Sequence, residues 1–319
     1  MPSPEHPRAA PARTPGWLPA RTPGLPDGPA RPARPGPPAP AAGRPPRAGV
    51  RLLRGAVYGV PDGGRPLETD LWLPEEPSGP VPVVVFVHGG AWRTGLRDDL
   101  GPRFRHWSPS PFARWVRAGF AVACPDYRLS GEATHPAQRE DLHTLLAWLH
   151  GRAGELGLDT ARTVLWGESA GGHLAALTAL TAPGARETAT IRGCATWYAP
   201  TDLVRLAEDA GHGDARDRTT FGALLLGAAP AEAPGRARDA SPVAHVRADA
   251  PPFLVLHGSR DGIVPFAQGE RLAAALRAAG APVDFRPVPG GDHLWVGVTE
   301  AEVERCFTAT LDFAARCVR

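Results

Sequence analysis

The pentad Gly167-Glu168-Ser169-Ala170-Gly171 has the form G-x-S-x-G, with small residues two before and two after a serine. That spacing lets a chain turn from strand to helix so tightly that the serine hydroxyl projects above a sheet. The helix that follows would aim its free N–H groups and positive dipole end at the hydroxyl. An ordinary helix-capping serine is the plainer alternative. A serine hydroxyl is a weak nucleophile at neutral pH, so it needs a base to take its proton and a carboxylate to hold that base in one tautomer. Downstream stand His257-Gly258-Ser259-Arg260-Asp261 and Gly290-Gly291-Asp292-His293, which supply Asp261 and His293 in the chain order Ser, Asp, His. Asp202 is a rival acid because it also follows an apolar run, and Asp292 must point elsewhere if His293 faces the serine. Eleven histidines compete for the base role; His143, His150 and His173 fall in helical periodicity and His257 precedes the acid, and position favours His293 over all the others. Backbone donors for a developing oxyanion would come from Gly89 and Gly90 in His88-Gly89-Gly90-Ala91-Trp92, together with Ala170. Glycine allows the close approach that a side chain would block. His88 reads as a structural hydrogen-bonding residue.

These groups need a scaffold that brings strand ends together. From Val50 onward short apolar runs alternate with segments of helical period. Arg51 to Val60 and Leu67 to Leu73 read as a hairpin around Pro61-Asp62-Gly63-Gly64, and Val81 to Val87 as a strand buried on both faces. Further strands are expected over 120–124, 162–166, 191–197, 253–256 and 283–287, and helices over 111–118, 136–156, 170–180, 267–279 and 302–318. Alternation of this kind implies an α/β fold, a mostly parallel sheet with helices on both faces. The candidate residues fall at the carboxyl ends of strands, where sites form in such sheets. Two longer segments, 93–110 and 201–250, are candidate lids or, equally, solvated insertions.

The 319-residue chain is 43% apolar and carries 35 basic and 33 acidic residues, a net charge of +2 that gives no reason to expect a nucleic-acid or membrane-surface partner. Every basic residue is arginine, a compositional bias with little to say about mechanism. Of 38 prolines, 16 fall in the first 50 residues among Ala, Gly and seven arginines. Such a stretch cannot bury enough apolar surface to offset its ordering entropy, so residues 1–49 are expected to be a disordered extension and 50–319 the catalytic domain. The extension reads as a basic tether, or else as a spacer or an upstream start codon. No apolar run is long enough for a secretory signal or a membrane-spanning helix, so a cytoplasmic location is expected. Cys124, Cys194, Cys306 and Cys317 lack C-x-x-C spacing; buried free thiols are expected and a metal site is not.

The motifs H-G-G-A-W, Asp126-Tyr127-Arg128-Leu129, G-E-S-A-G-G-H-L-A and His257-Gly258-x-x-Asp261-x-x-Val264-Pro265 follow one another in a familiar order. With them the chain resembles the α/β-hydrolases of the carboxylesterase type, near the hormone-sensitive-lipase-like and feruloyl/acetyl-esterase-like (BD-FAE) groups, from about Leu52 to Arg319. Ala91 stands where lipase-like relatives carry a third glycine, which favours the HGG-x-W group that also includes kynurenine formamidases. The resemblance implies a cofactor-free Ser/Asp/His hydrolase with Ser169, Asp261 and His293 as triad, oxyanion support from Gly89, Gly90 and Ala170, and scaffold roles for Asp126 and Glu168.

The expected reaction is hydrolysis of a small-molecule ester, of short or aromatic acyl groups, through an acyl-enzyme. Trp92 and Trp295, with Trp107, Trp197, Tyr198 and Phe266, are expected to line the acyl pocket, although each could equally be a core aromatic. An arylformamidase or an oligopeptidase-like amidase would use the same residues, and a ligand-binding member of the fold would have lost one of them.

Overall fold

The computed structural model of the protein describes residues 49–182, 188–211 and 214–319. The extension expected over residues 1–49 lies outside the described residues except for Gly49, whose N–H donates to the Glu75 carboxylate. Among the described residues, β1 (Val50–Gly59), β2 (Leu67–Pro74), β3 (Val81–Val87), β4 (Ala121–Pro125), β5 (Leu158–Glu168), β6 (Ile191–Trp197), β7 (Phe253–Gly258) and β8 (Val283–Val288) form one sheet. Its order is β1-β2-β4-β3-β5-β6-β7-β8. The β1/β2 and β2/β4 pairs are antiparallel, and every pair from β4 to β8 is parallel.

Parallel neighbours need crossovers, and helices supply them. In chain order these are α1 (Pro111–Arg117), α2 (Ala137–Gly151), α3 (Ala153–Leu156), α4 (Ala170–Thr181), α5 (Leu206–Asp209), α6 (Phe221–Leu226), α7 (Pro234–Asp239), α8 (Phe266–Ala278) and α9 (Glu300–Cys317). The alternation of β3 fixes the two layers. Val83, Val85 and Val87 join one core with Leu142, Leu174 and Leu272 of α2, α4 and α8. Val84 and Phe86 face the other core, with Trp115 of α1 and Phe307 and Phe313 of α9. Each fully buried large apolar side chain contributes about 1.5–3 kcal/mol, so the central strand is held from both sides.

The chain leaves β3 for β4 on one flank and then returns past β3 to β5 on the other. Winding direction therefore reverses between β3 and β5, the place where an open parallel sheet leaves a crevice at its carboxyl edge. Segments 93–110 and 201–250 are both fastened near this edge. Arg97 pairs with Glu68, Asp70 and Asp126, and Arg103 donates to the carbonyls of Trp295 and Val298. In the longer segment, the Thr201 N–H donates to Gln268 Oε1 over 2.7 Å and the Leu203 N–H to Ser241 Oγ over 2.8 Å.

Candidate active site

β5 ends at Glu168 and α4 begins at Ala170, so Ser169 alone makes the turn, at φ 53° and ψ −122°. A side-chain-bearing residue adopts such a conformation only when its surroundings impose it. Its N–H donates to the Trp197 carbonyl over 2.9 Å. The flanking glycines have steric reasons. A Cβ on Gly167 would meet the Gly171 carbonyl oxygen at 2.3 Å, and one on Gly171 would meet the Val87 carbonyl oxygen at 2.0 Å.

The loop after β8 carries His293 and the loop after β7 carries Asp261, and the structure brings both to the serine. Ser169 Oγ lies 3.0 Å from His293 Nε2, and His293 Nδ1 lies 2.8 Å from Asp261 Oδ2. The other carboxylate oxygen of Asp261 accepts the N–H groups of Ile263 (2.9 Å) and Val264 (2.8 Å), which fixes the acid's plane. His257 braces the same turn by donating from Nε2 to the Val264 carbonyl over 2.9 Å; burial holds its imidazole below the ordinary histidine value, hence neutral. Asp292 points away from the serine, and its Oδ1 accepts the N–H groups of Gly262 and His293. The rival acid Asp202 is engaged elsewhere, accepting the Val204 and Arg205 N–H groups and pairing with Arg271.

The oxyanion loop departs from expectation at one position. The Gly89 N–H already donates to Glu168 Oε1 over 2.7 Å, so it is not free to serve an oxyanion. Among the described residues the amides of Gly90, Ala91 and Ala170 donate to no protein acceptor. Ala91 joins this group because it and Trp92 both take positive φ, 55° and 58°, a pairing that sequence does not announce. His88 is structural: its ring stacks on Tyr127 at 4.4 Å and its Nδ1 lies 2.8 Å from the Gly89 carbonyl.

Trp92 and Trp295 prove to be packing residues. Trp295 is fully buried against Trp197 and Tyr198, with centroids 5.6 and 4.7 Å away. Trp92, 3% exposed, sends its indole N–H to His173 Nδ1. An aromatic chain thus runs from Trp115 through Trp166, Trp197, Trp295 and Tyr198 to the edge of the His293 ring, 4.7 Å from Tyr198. The six non-glycine residues with positive φ among the described residues are Ala91, Trp92, Ser169, Tyr198, Leu294 and Trp295. All six follow the carboxyl ends of β3, β5, β6 or β8, so backbone strain is concentrated around the site. Among the described residues no three His, Cys, Asp or Glu side chains are grouped to hold a metal ion.

A serine at the turn after β5, facing loops from β7 and β8 across a reversal in sheet winding, defines the α/β-hydrolase fold. Within that fold the chain belongs to the BD-FAE family, whose family model matches residues 69–276. It is 32% identical over 242 residues to the esterase LipQ of Mycobacterium tuberculosis (strain ATCC 25618 / H37Rv), an alignment covering 72% of this chain and 55% of that protein. The chain spans little more than half the length of the curated relatives it matches. Among solved structures it is similar to a bacterial heroin esterase, at 26% identity and TM-score 0.70 over 87% of both chains. A truncated carbohydrate esterase from gut microbiota shares the fold at TM-score 0.73 and 23% identity, covering 86% of this chain and 99% of that one.

Proposed function

We propose that this protein hydrolyses carboxylic esters through a covalent acyl-serine intermediate. The observation that carries the reading is the continuous line from Ser169 Oγ to His293 Nε2 (3.0 Å) and from His293 Nδ1 to Asp261 Oδ2 (2.8 Å). Membership of an esterase-type family and the names of its relatives support the same reaction class.

Ser169 Oγ adds to the ester carbonyl carbon as its proton passes to His293 Nε2, and the carbonyl oxygen becomes an oxyanion. Donors for that oxygen are the Gly90, Ala91 and Ala170 N–H groups. Asp261 accepts the Nδ1–H and stabilises the imidazolium. Collapse of the tetrahedral intermediate expels the alkoxide, which takes the proton from Nε2 and leaves as the alcohol. Water then loses a proton to His293, attacks the acyl carbon and releases the acid, restoring Ser169.

The test is p-nitrophenyl acetate hydrolysis and fluorophosphonate labelling by the full chain and its Ser169→Ala variant. Loss of both in the variant, with turnover down on the order of 10⁶-fold, is expected. Full activity without the serine hydroxyl would reject the mechanism.

A further inference from the structure

Glu168 precedes the serine and is buried beneath it. Its Oε1 accepts the Gly89 N–H at 2.7 Å, joining the end of β5 to the oxyanion loop across 79 residues of sequence. The approach is so close that a Cβ on Gly89 would stand 2.2 Å from that oxygen. Its Oε2 and the nearby Tyr198 hydroxyl are buried without a hydrogen-bond partner among the described residues. Tyr198 in turn sets its ring against the edge of His293. Carboxylate, phenol and imidazole are therefore all buried side chains beneath the nucleophile, where a charge is weakly screened.

We propose that Glu168 is a positioning residue for the hydrolysis, holding the oxyanion loop in place by accepting from Gly89. This rests on the acyl-serine reading above. The titratable groups that act on Glu168 are His293, Tyr198 and Asp99, and Glu168 itself acts on Tyr127. Burial pushes the Glu168 carboxyl up to about 7, while the charge of His293 and the Gly89 N–H oppose that rise. Charged or neutral, the carboxyl offers Gly89 an acceptor oxygen, so the hold does not depend on its protonation.

Two substitutions test that hold. Glu168→Gln keeps an oxygen for Gly89; Glu168→Asp shortens the reach by one methylene and withdraws it. The readouts are the rate of Ser169 labelling by a fluorophosphonate and kcat and KM for p-nitrophenyl acetate, with near-UV circular dichroism to establish folding. In Glu168→Asp labelling and kcat should fall roughly tenfold or more through the displaced loop, with KM nearly unchanged. Glu168→Gln should stay within about threefold of wild type. Should one variant fail to fold, the other decides by its own criterion: a Gln variant slowed about tenfold, or an Asp variant of wild-type rate, overturns the proposal. Absence of labelling in the wild-type chain refutes the acyl-serine reading instead, so the two failures are distinct.

Discussion

The Trp92 indole N–H donates to His173 Nδ1 over 3.1 Å, and this bond ties the loop after β3 to α4, the helix that begins directly after Ser169. His173 passes the connection on, donating from Nε2 to the Ala240 carbonyl in the 201–250 segment over 2.7 Å. Accepting at one nitrogen and donating at the other requires the neutral ring, and burial holds its pKa down to about 3. Trp92→Phe removes the donor together with part of a buried ring. It is expected to lower kcat about tenfold with KM nearly unchanged and to cost roughly 1–3 kcal/mol of stability, since His173 Nδ1 is left without a partner. Steady-state kinetics and denaturant unfolding check both.

Asp261→Asn should retain the fold and lower kcat on the order of 10⁴-fold, because an amide favours the wrong imidazole tautomer. Asp202→Asn keeps an oxygen for the Val204 and Arg205 N–H groups and loses only a partly exposed pairing with Arg271. Its activity should stay within about twofold and its stability within about 1 kcal/mol. Parallel kinetics of the two variants discriminate between the acids, and the reverse ranking would contradict the assignment.

Gly171→Ala would drive a methyl group into the Val87 carbonyl at 2.0 Å, separating β3 from the start of α4. The Gly90, Ala91 and Ala170 N–H groups proposed as oxyanion donors flank that junction. An activity loss of about 10²-fold or greater is expected, with a lowered unfolding midpoint. A variant of wild-type activity would mean that the junction is looser than the packing indicates.

Stability should fall as the medium becomes acidic. Burial holds His88, His135, His143, His173 and His257 below the ordinary histidine value. Below pH ~6.5 the unfolded chain takes up protons that the folded chain refuses, so each fully buried imidazole removes up to about 1.4 kcal/mol per pH unit. Half-buried His143 contributes less. Glu168, pushed up to about 7, has the opposite sign: its contribution is complete below its ordinary carboxylate range and is lost as pH rises toward 7, so it offsets part of the histidine effect. The thermal midpoint should be nearly level from pH 7 to 8 and decline steadily from 6 to 4. A midpoint independent of pH over 4–7 would contradict the neutral assignments.

Local pattern carries far in this chain. The valine run at 81–87 is β3 with the expected bounds, as is the strand at 191–197. Strand and helix ends elsewhere shift by a residue or two, but two differ by more. β5 starts at Leu158 rather than 162, because Val81 and Pro82 recruit Leu158 and Asp159 before a register irregularity that no alternation reveals. The helix expected over 136–156 breaks at Arg152 into α2 and α3. The meeting of Ser169, His293 and Asp261 was legible because each follows the carboxyl end of a strand. What lay beyond the sequence were relations across chain distance. The grip of Glu168 on Gly89 spans 79 residues, and the burial of Trp295 is set by β6 and its neighbours rather than by proximity to His293. His173 stood in a quoted motif, yet its two partners lie 81 and 67 residues away.

The ring of positive-φ residues also bears on how this protein could be engineered. Each such residue costs about 1–3 kcal/mol, which the packed sheet must offset. Glycine at Leu294 or Ala91 would relieve that cost and raise the unfolding midpoint, while loosening the loops that present the base and the oxyanion donors. Selection for heat resistance and selection for turnover would therefore pull in opposite directions at the same few positions, and gains in both are to be sought at the far end of the sheet.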